Sequence, residues 1–195
     1  MNPVDNKNQR LNKNSSSFSS PPLSWWFLNP AGDGITMIVK NRKLLKDIIL
    51  ELKNQEYRLV FTNGCFDIIH KGHVKYLNDA KKFGDILIVG INSDESIKKI
   101  KGDKRPIIPL ESRAEVLDSL KSVDFVVPFE EETPVELIKI IKPHTHVKGG
   151  DYREEDLPET EIIKNYGGEV KIIPLVEGFS TTNVIEWILK KYKKG

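Results

Sequence analysis

The stretch RLVFTNGCFDIIHKGH, residues 58–73, decides the fold class of this chain. Its first five residues read as a short buried strand, and apolar positions at helical spacing follow His73. A buried strand that turns through a glycine into a helix is the opening unit of a parallel α/β sheet. Because Gly64 lets backbone amides approach a ligand and a helix begins just beyond it, we predict an anion site directly after the strand.

The same alternation of strand and helix continues to the end of the chain. Four further apolar strands are predicted, at residues 85–91, 123–127, 144–147 and 170–173. Helices are predicted at residues 41–52, 73–83, 110–120, 134–141, 159–166 and 181–192. Short continuous apolar strands between helices indicate a doubly wound α/β domain, with a five-stranded parallel sheet and helices on both faces. Ligands of such domains bind beyond the carboxyl ends of the strands.

Composition excludes several classes of function. The 195 residues include 30 basic and 28 acidic side chains, so a net charge of +2 gives no reason to expect a nucleic-acid partner. One cysteine cannot form an internal disulfide or a multi-cysteine zinc site, which favours a reducing, cytoplasmic location. The longest apolar run near the N-terminus, Trp25–Leu28, is too short for a signal peptide or a membrane span, so no membrane partner is expected.

Residues 1–36 differ in composition from the rest of the chain and are rich in Asn, Ser and Pro. Such a segment cannot bury enough apolar surface to offset its ordering entropy, so we predict a disordered tail before a single domain at residues 37–195. Met37 is a candidate natural start, which would make the tail upstream sequence. The alternative is a native tail in which Trp25, Trp26 and Phe27 form a docking peptide. The intact mass of the native protein distinguishes the two.

His70 and His73 are the most distinctive side chains of the turn. Spacing by three residues places both imidazoles on one side of a helical turn, where two positive or donating imidazoles beside an anion site suit the stabilisation of a pentacovalent phosphorus. The turn has neither the Walker pattern nor Gly-x-Gly-x-x-Gly, which disfavours a P-loop kinase and a nicotinamide enzyme. A metal site with Cys65 lacks a fourth ligand, and a structural role is the other alternative. His144 and His146, near the fourth strand, are predicted to be structural.

The pattern Gly64-x-Phe66-Asp67-x-x-His70-x-Gly72-His73 resembles the signature of the nucleotidyltransferase superfamily that includes the cytidylyltransferases. The loops after the later strands are similar to those of the heptose 1-phosphate adenylyltransferases, over about residues 40–190. They are NSD at 92–94, KGD at 101–103, RP at 105–106, PLESR at 109–113, FEEETP at 129–134, VKGGDY at 147–152 and EGFSTT at 177–182. Cytidylyltransferases have an arginine where this chain has Leu175, which agrees with the heptose branch.

This resemblance implies a Rossmann-like nucleotidyltransferase fold, in the free-standing rather than the kinase-fused form. The implied reaction joins ATP and D-glycero-D-manno-heptose 1-phosphate to give ADP-heptose and pyrophosphate. The resemblance also implies a homodimer, and Mg²⁺ that is carried by ATP rather than held by protein side chains. A sugar phosphate is already an anion near neutral pH, because its second pKa is about 6, so no strong general base is needed. Catalysis is then expected from in-line positioning and charge neutralisation.

Positions after the strands, together with the resemblance, give a set of candidate site residues. The residues expected to act in catalysis are His70, His73, Lys101 and Lys148. Those expected to contact the substrate phosphate are Lys101 and Arg113. The expected nucleotide site comprises Thr62, Asn63, Gly64, Phe66, Asp67, Gly72, Asn92, Asp94, Gly149, Asp151, Ser180, Thr181 and Thr182. Within that site, Asp94 or Asp151 is expected to contact ribose or the Mg²⁺ of the triphosphate.

Several of these positions also have a simpler interpretation. Ser180 begins the last helix, where a hydroxyl serves either as part of a phosphate site or as a plain N-cap. Lys101 lies in a stretch rich in Gly, Asp, Arg and Pro, where it is either a cation that closes over phosphates or a solvated lysine. Arg113 lies on a predicted helix, and it either holds phosphate or pairs with Glu111 or Glu115 at the surface.

Two alternative functions stay open at this point. The first is a nucleotidyltransferase that uses CTP or another nucleotide, or a different phosphorylated alcohol or sugar. The second is a nucleotide-binding module without turnover. Pyrophosphate release measured over a panel of nucleotides and acceptors distinguishes these alternatives from the expected reaction.

Overall fold

A computed structural model describes residues 37–150 and 153–193. Its strands are β1 (Met37–Ile38), β2 (Leu59–Gly64), β3 (Ile86–Asn92), β4 (Phe125–Phe129), β5 (Thr145–Gly149) and β6 (Glu169–Ile173). They form one sheet in the order β1-β4-β3-β2-β5-β6, and every pairing is parallel. The predicted tail at residues 1–36 and the candidate Asp151 lie outside the described residues.

The described sheet has six strands where five are predicted. The five predicted strands correspond to β2–β6, and β1 is added at one edge, where Met37 pairs with Phe125 and Ile38 with Val126. Two residues are too few to show the periodicity from which a strand is predicted, so only the pairing with β4 defines β1. The parallel, doubly wound α/β fold is confirmed.

Helices connect the strands. Within residues 37–150 and 153–193 they are α1 (Arg42–Asn54), α2 (Lys71–Lys81), α3 (Asp94–Lys101), α4 (Leu110–Asp118), α5 (Val135–Ile141), α6 (Thr160–Asn165) and α7 (Thr181–Tyr192). Local sequence explains several of their starts. Asn41, for example, accepts hydrogen bonds from the amides of Lys43 and Leu44 and so caps α1.

The prediction misses α3 and treats Lys101 as part of a loop. Ser93 caps this helix by accepting a hydrogen bond of 3.1 Å from the amide of Ser96. The buried side chains of α3 are those of Ser96 and Ile97, so a single apolar residue marks its inner face. That is too little for a helical apolar pattern. Lys101 is therefore the last residue of a helix.

Both faces of the sheet are covered by helices. Neighbouring residues of β2 point to opposite faces, so Phe61 belongs to one core and Val60 to the other. The first core contains side chains from α1, α5 and α6, among them Leu45. The second contains side chains from α2 and α4, among them Leu77. Among the described residues, no helix has the length and apolar content needed to cross a bilayer.

The direction of winding reverses between β2 and β5. β2 pairs with β3 on one side and with β5 on the other, with Thr62 opposite both Val89 and Val147. From β2 the chain proceeds through β3 and β4 toward one edge, and it then returns to place β5 and β6 on the other side. Such a reversal leaves a crevice beyond the carboxyl ends of the two central strands, which is where ligands of these folds bind.

Candidate active site

A cleft of about 560 Å³ opens beyond the carboxyl ends of β2 and β5. Its wall is built from the turn after β2, the first turns of α2, the C-terminal end of α3, the end of β5 and the residues that begin α7. This volume is typical of small-molecule sites. Another cavity, of about 600 Å³ beside His144, contains none of the candidate residues.

His70 and His73 lie at the cleft wall with their rings stacked. The ring centroids are 3.9 Å apart with an interplanar angle of 20°. His73 also packs against Phe66, with a centroid separation of 5.3 Å. The Nδ1 atom of His70 is buried and has no hydrogen-bond partner among the described residues. The spacing of three residues therefore brings the two imidazoles together, as predicted.

Both imidazoles are neutral near pH 7. Burial, and then the charge of His70, lower the pKa of His73 to about 4, against a weaker opposing effect of the Ile68 backbone. Burial also lowers the pKa of His70 below its usual value. A neutral imidazole carries one N–H donor and one acceptor nitrogen. The pair can therefore offer hydrogen bonds to an anion, but it contributes no full positive charge.

The turn between β2 and α2 contains an uncommon backbone conformation. Phe66 has a φ of +44°, in the left-handed region that residues other than glycine seldom adopt. Its side chain is 5% exposed and belongs to the core packed against α2. Residues held in this region cluster at functional sites, where surrounding packing maintains them. Here the packing of Phe66 fixes the path of the turn that forms one wall of the cleft.

Two helix N-termini contribute to the cleft. His70 is the N-cap residue of α2, but its side chain accepts no hydrogen bond from the helix. At α7, Ser180 caps the helix by accepting from the amide of Asn183 at 3.0 Å, and Thr181 lies beside it at the cleft wall. Free amides and the positive end of the helix dipole favour an anion at such positions.

Two lysine ammonium groups lie at the wall of the same cleft, and one of them is paired with a buried carboxylate. Lys148, at the end of β5, donates to Asn63 Oδ1 at 3.0 Å and pairs with Glu159 at 2.9 Å. Lys101, at the end of α3, also lines the cleft. Stacked imidazoles, two helix N-termini and two ammonium groups therefore lie around one crevice, an arrangement that suits a polyphosphate ligand.

Comparison with known proteins places the chain in a family. A family model described as cytidylyltransferase-like matches residues 61–190. The chain belongs to the cytidylyltransferase-like family. The matched residues include residues 64–73, which contain His70 and His73 and are called the histidine turn, together with both lysines and the start of α7. The cleft therefore lies entirely within the family's domain.

Curated relatives are identical to the chain at about half of their aligned positions. "Bifunctional protein HldE" of Geobacter sulfurreducens is 51% identical over 154 residues, which cover 79% of this chain and 31% of that protein. The protein of the same name from Nitratiruptor sp. is 53% identical over 148 residues, or 76% of this chain and 31% of the relative. The chain thus spans about a third of the length of the curated relatives it matches.

Solved structures share the fold of this cytidylyltransferase-like chain. The lipopolysaccharide core biosynthesis protein from Thermoplasma volcanium is 29% identical with a TM-score of 0.51, over 62% of this chain and 97% of that one. The pantoate-beta-alanine ligase from Francisella tularensis is 18% identical with a TM-score of 0.55, over 83% of this chain and 78% of that one. The second likeness is one of fold alone.

The structure corrects the prediction for Arg113. Its side chain is buried, and its guanidinium donates to the carbonyl oxygens of Cys65, Asn92 and Ile108. It also pairs with Asp94 at 2.6 Å. These contacts use all five N–H groups, so none is left for a substrate phosphate. Arg113 instead ties α4 to the ends of β2 and β3, and neither Glu111 nor Glu115 is its partner.

Asp67 also has a different role from the one predicted. Its side chain is fully buried and accepts hydrogen bonds from the amides of Ile107 and Ile108 and from Arg105 Nε. Burial alone would raise the pKa of Asp67, but these hydrogen bonds together hold it below its usual value. A carboxylate so fully occupied has no free oxygen for ribose or a metal ion. It fastens the loop after α3 to the histidine turn.

The remaining predicted nucleotide contacts divide into two groups. Those that lie at the cleft wall are Asn63, Gly64, Phe66, Gly72, Asn92, Gly149, Ser180, Thr181 and Thr182. Thr62 and Asp94 lie outside that wall. Thr62 is buried in β2 and bonds to the hydroxyl of Tyr76 at 2.7 Å, and Asp94 is held by Arg113. For these two residues the contacts favour structural roles.

Several residues of the cleft are absent from the prediction, among them Tyr76, Arg105 and Phe179. Tyr76 donates its hydroxyl to the carbonyl of Val147 at 2.9 Å and so joins α2 to β5. It follows His73 by three residues, a spacing that puts it on the same helix face and could have indicated it. Arg105 and Phe179 also line the cleft. Both belong to loops whose course the apolar pattern does not predict.

Carboxylates available to a metal are sparse in this cleft. Among the residues that the structure describes, no group of three His, Cys, Asp or Glu side chains is placed to hold an ion. The carboxylates at the cleft wall within residues 37–150 and 153–193 are Asp67, which is fully hydrogen-bonded, and Glu132. This arrangement suits an ion coordinated mainly by the oxygens of a triphosphate.

Proposed function

We propose that this cytidylyltransferase-like domain transfers AMP from ATP to D-glycero-D-manno-heptose 1-phosphate, giving ADP-heptose and pyrophosphate. The observation that carries the proposal is the stacked pair of neutral imidazoles, His70 and His73, at the wall of the cleft. Relatives about half identical to the chain, together with loops similar to those of heptose 1-phosphate adenylyltransferases, support ATP and the heptose phosphate as substrates. The product would serve as a sugar donor for lipopolysaccharide core or another surface glycan.

The proposed reaction is an in-line displacement at the α-phosphorus. A phosphate oxygen of the sugar phosphate forms the new bond to the α-phosphorus, and the bond to the bridging oxygen of pyrophosphate breaks. No proton needs to be removed from the nucleophile, because the phosphate monoester is already ionised. The imidazole N–H groups of His70 and His73 donate to the α-phosphate oxygens as negative charge develops on them. Lys101 and Lys148 neutralise the sugar phosphate and the departing pyrophosphate.

Pyrophosphate release tests this proposal directly. The full chain is incubated with MgATP and each anomer of the heptose 1-phosphate, with CTP and GTP as alternative nucleotides and other sugar or polyol phosphates as alternative acceptors. Release that is fastest with ATP and one heptose anomer supports the proposal. Faster release with another pair would reassign the substrates. Nucleotide binding without release from any pair would instead indicate a non-catalytic module.

We further propose a cytoplasmic homodimer that binds ATP as its Mg²⁺ complex. Support for the dimer comes from α7, none of whose side chains is buried within the described residues. Trp187, Ile188 and Leu189 are each close to half exposed. In an antiparallel pair of α7 helices, the basic C-terminal residues of one copy would approach Glu177 of the other, which makes a second copy a suitable partner. Light scattering of the wild-type chain and of I188E/L189E tests this, and a wild-type monomer would refute it.

A further inference from the structure

A buried carboxylate lies behind the cleft, next to one of its two lysines. Glu159 directly precedes α6 and is 1% exposed, and it is not part of the cleft wall. Its Oε1 atom lies 2.9 Å from Nζ of Lys148. The same Oε1 accepts no hydrogen bond among the described residues and lies 4.0 Å from Nδ1 of His146. Because burial and the charge of Lys148 lower the pKa of His146 to about 3, that imidazole is neutral, and the ammonium of Lys148 compensates the charge of the carboxylate. An uncompensated carboxylate at this depth would be strongly unfavourable.

Asn63 and His146 complete the surroundings of the ammonium. Asn63 Oδ1 accepts from Lys148 at 3.0 Å and lies 3.4 Å from Nε2 of His146. The imidazole of His146 is fully buried and stacks on Phe61, with ring centroids 5.4 Å apart. Burial and the charge of Lys148 keep this histidine neutral, so its Nε2–H can donate to Asn63 and hold the amide in place.

This pair differs from the lysine–carboxylate pairs at the surface. The Lys148 side chain is 16% exposed and that of Glu159 is 2% exposed. By contrast, in the pair between Lys164 and Glu154 the corresponding values are 60% and 38%. A buried pair seldom adds net stability compared with apolar residues of the same volume, because desolvation offsets the attraction. A geometric role is therefore the better explanation for an ion pair at this position.

We propose that Glu159 is a positioning residue that holds the Lys148 ammonium at the cleft wall. The inference rests on the proposed function, in which Lys148 neutralises phosphate charge. The ammonium of Lys148 carries three N–H groups, and one of them donates to Asn63. The attraction of Glu159 restricts the range of positions that this ammonium reaches at the end of its flexible side chain. A pre-placed cation stabilises developing charge without having to reorganise, so the gain appears in turnover rather than in substrate binding.

The variant Glu159→Gln tests this inference, because glutamine keeps the size of the side chain and removes its charge. We expect kcat for pyrophosphate release to fall by about tenfold while KM for MgATP stays within about twofold. The matched control is Glu154→Gln, which removes the carboxylate of the surface pair with Lys164. It should leave kcat and KM unchanged.

Combining substitutions at Glu159 and Lys148 shows whether Glu159 acts by positioning Lys148 or by a general effect on the structure. If Glu159 acts through Lys148, E159Q should cause no further loss of kcat in a Lys148→Ala background. Additive losses, or an unchanged kcat in E159Q, would overturn the inference. Should E159Q fail to fold, E159D keeps the charge but sets it back by one methylene group. We then expect a severalfold loss of kcat that again disappears in the K148A background.

A failure of the proposed function would be recognised separately. If the wild-type chain released no pyrophosphate from any substrate pair, the proposed reaction would be wrong, and calorimetric binding of inorganic pyrophosphate, whose charge Lys148 is proposed to neutralise, would take the place of turnover. The inference then predicts that E159Q weakens pyrophosphate binding, that E154Q does not, and that E159Q has no effect in K148A. Equal affinities of the wild type and E159Q would overturn it.

Discussion

Gly72 separates the two histidines, and the reason lies in the space around it. A β-carbon on this residue would come within 3.0 Å of ring atoms of His70 and within 3.4 Å of the β-carbon of Phe179. The first distance is tighter than most real contacts of a β-carbon, so the imidazole of His70 would have to shift to accommodate it. Glycine at this position therefore lets the ring of His70 lie against that of His73, so it shapes the site through its missing side chain.

Replacing His73 by alanine tests the histidine pair at the scale of one residue. The change removes a donor held in place by stacking on His70 and by packing against Phe66. We expect His73→Ala to lower kcat for pyrophosphate release by about 10²–10³, as the loss of one preorganised donor does in other enzymes. Steady-state kinetics with the best nucleotide and acceptor measures this.

A control on the same helix makes the comparison specific. Lys75 lies on α2 and pairs with Asp79 at the protein surface, so Lys75→Ala perturbs the helix without touching the cleft. We expect K75A to keep wild-type turnover. Near-normal kcat in H73A would remove His73 from the proposed mechanism.

At the scale of elements, the loop between α3 and α4 depends on one carboxylate. Asp67 accepts hydrogen bonds from two backbone amides of that loop and from Arg105, which itself lines the cleft. We expect Asp67→Asn to lower the free energy of unfolding by about 1–3 kcal/mol, because an amide replaces a buried charged acceptor. The loosened loop should also raise KM. Urea denaturation and steady-state kinetics measure the two effects.

Asp79 provides the matched control for this prediction. It is also an aspartate with two polar partners, Lys75 and Lys82, but its pairs lie at the surface of α2. Asp79→Asn should change stability by no more than about 0.5 kcal/mol and leave KM unaltered. If D67N had the same stability and KM as D79N, the hydrogen bonds of Asp67 that join the histidine turn to the loop would contribute nothing measurable to either.

The elements differ in how far the sequence predicts them. The apolar pattern predicts β2–β6 and most of the helices. The strands appear as continuous apolar runs because helices cover both faces of the sheet, and the helices appear as apolar residues at helical spacing because each buries one face. The histidine pair follows from local spacing. Arg113 and Asp67 could not be assigned this way, because their partners are backbone atoms of distant segments. Residue type suggests a substrate phosphate as the partner of Arg113 and a nucleotide as the partner of Asp67. In the folded protein, hydrogen bonds within the chain occupy both side chains instead.

At the scale of the whole molecule, all four histidines lower the stability of the fold in acid. Burial lowers the pKa of each of them, to about 4 for His73 and about 3 for His146. The unfolded chain, with histidine pKa values near 6.5, therefore takes up protons before the folded chain does. Their contribution to stability is complete above about pH 6.5 and is lost progressively as the pH falls toward about 4.

Urea denaturation across this interval measures the effect. We expect the free energy of unfolding to decrease steadily from about pH 6.5 to about pH 4.5. The slope should be shallower in His73→Asn, because one titrating group is removed. A free energy independent of pH in this interval would contradict the burial of the histidines. Asp67 adds a loss in the same direction at still lower pH, because its folded pKa lies below the usual value.

The order of strands has a consequence for how the protein is made. β2 needs β5 on one of its edges, yet Asn63 and Lys148, which meet across that pairing, are 85 residues apart in the chain. During synthesis the histidine turn therefore leaves the ribosome long before Lys148 and the start of α7, which complete the cleft. Until then the central strand has an open edge, which is the kind of surface that chaperones shield from aggregation. A nucleotide bound across the finished cleft would hold the early and late parts of the chain together.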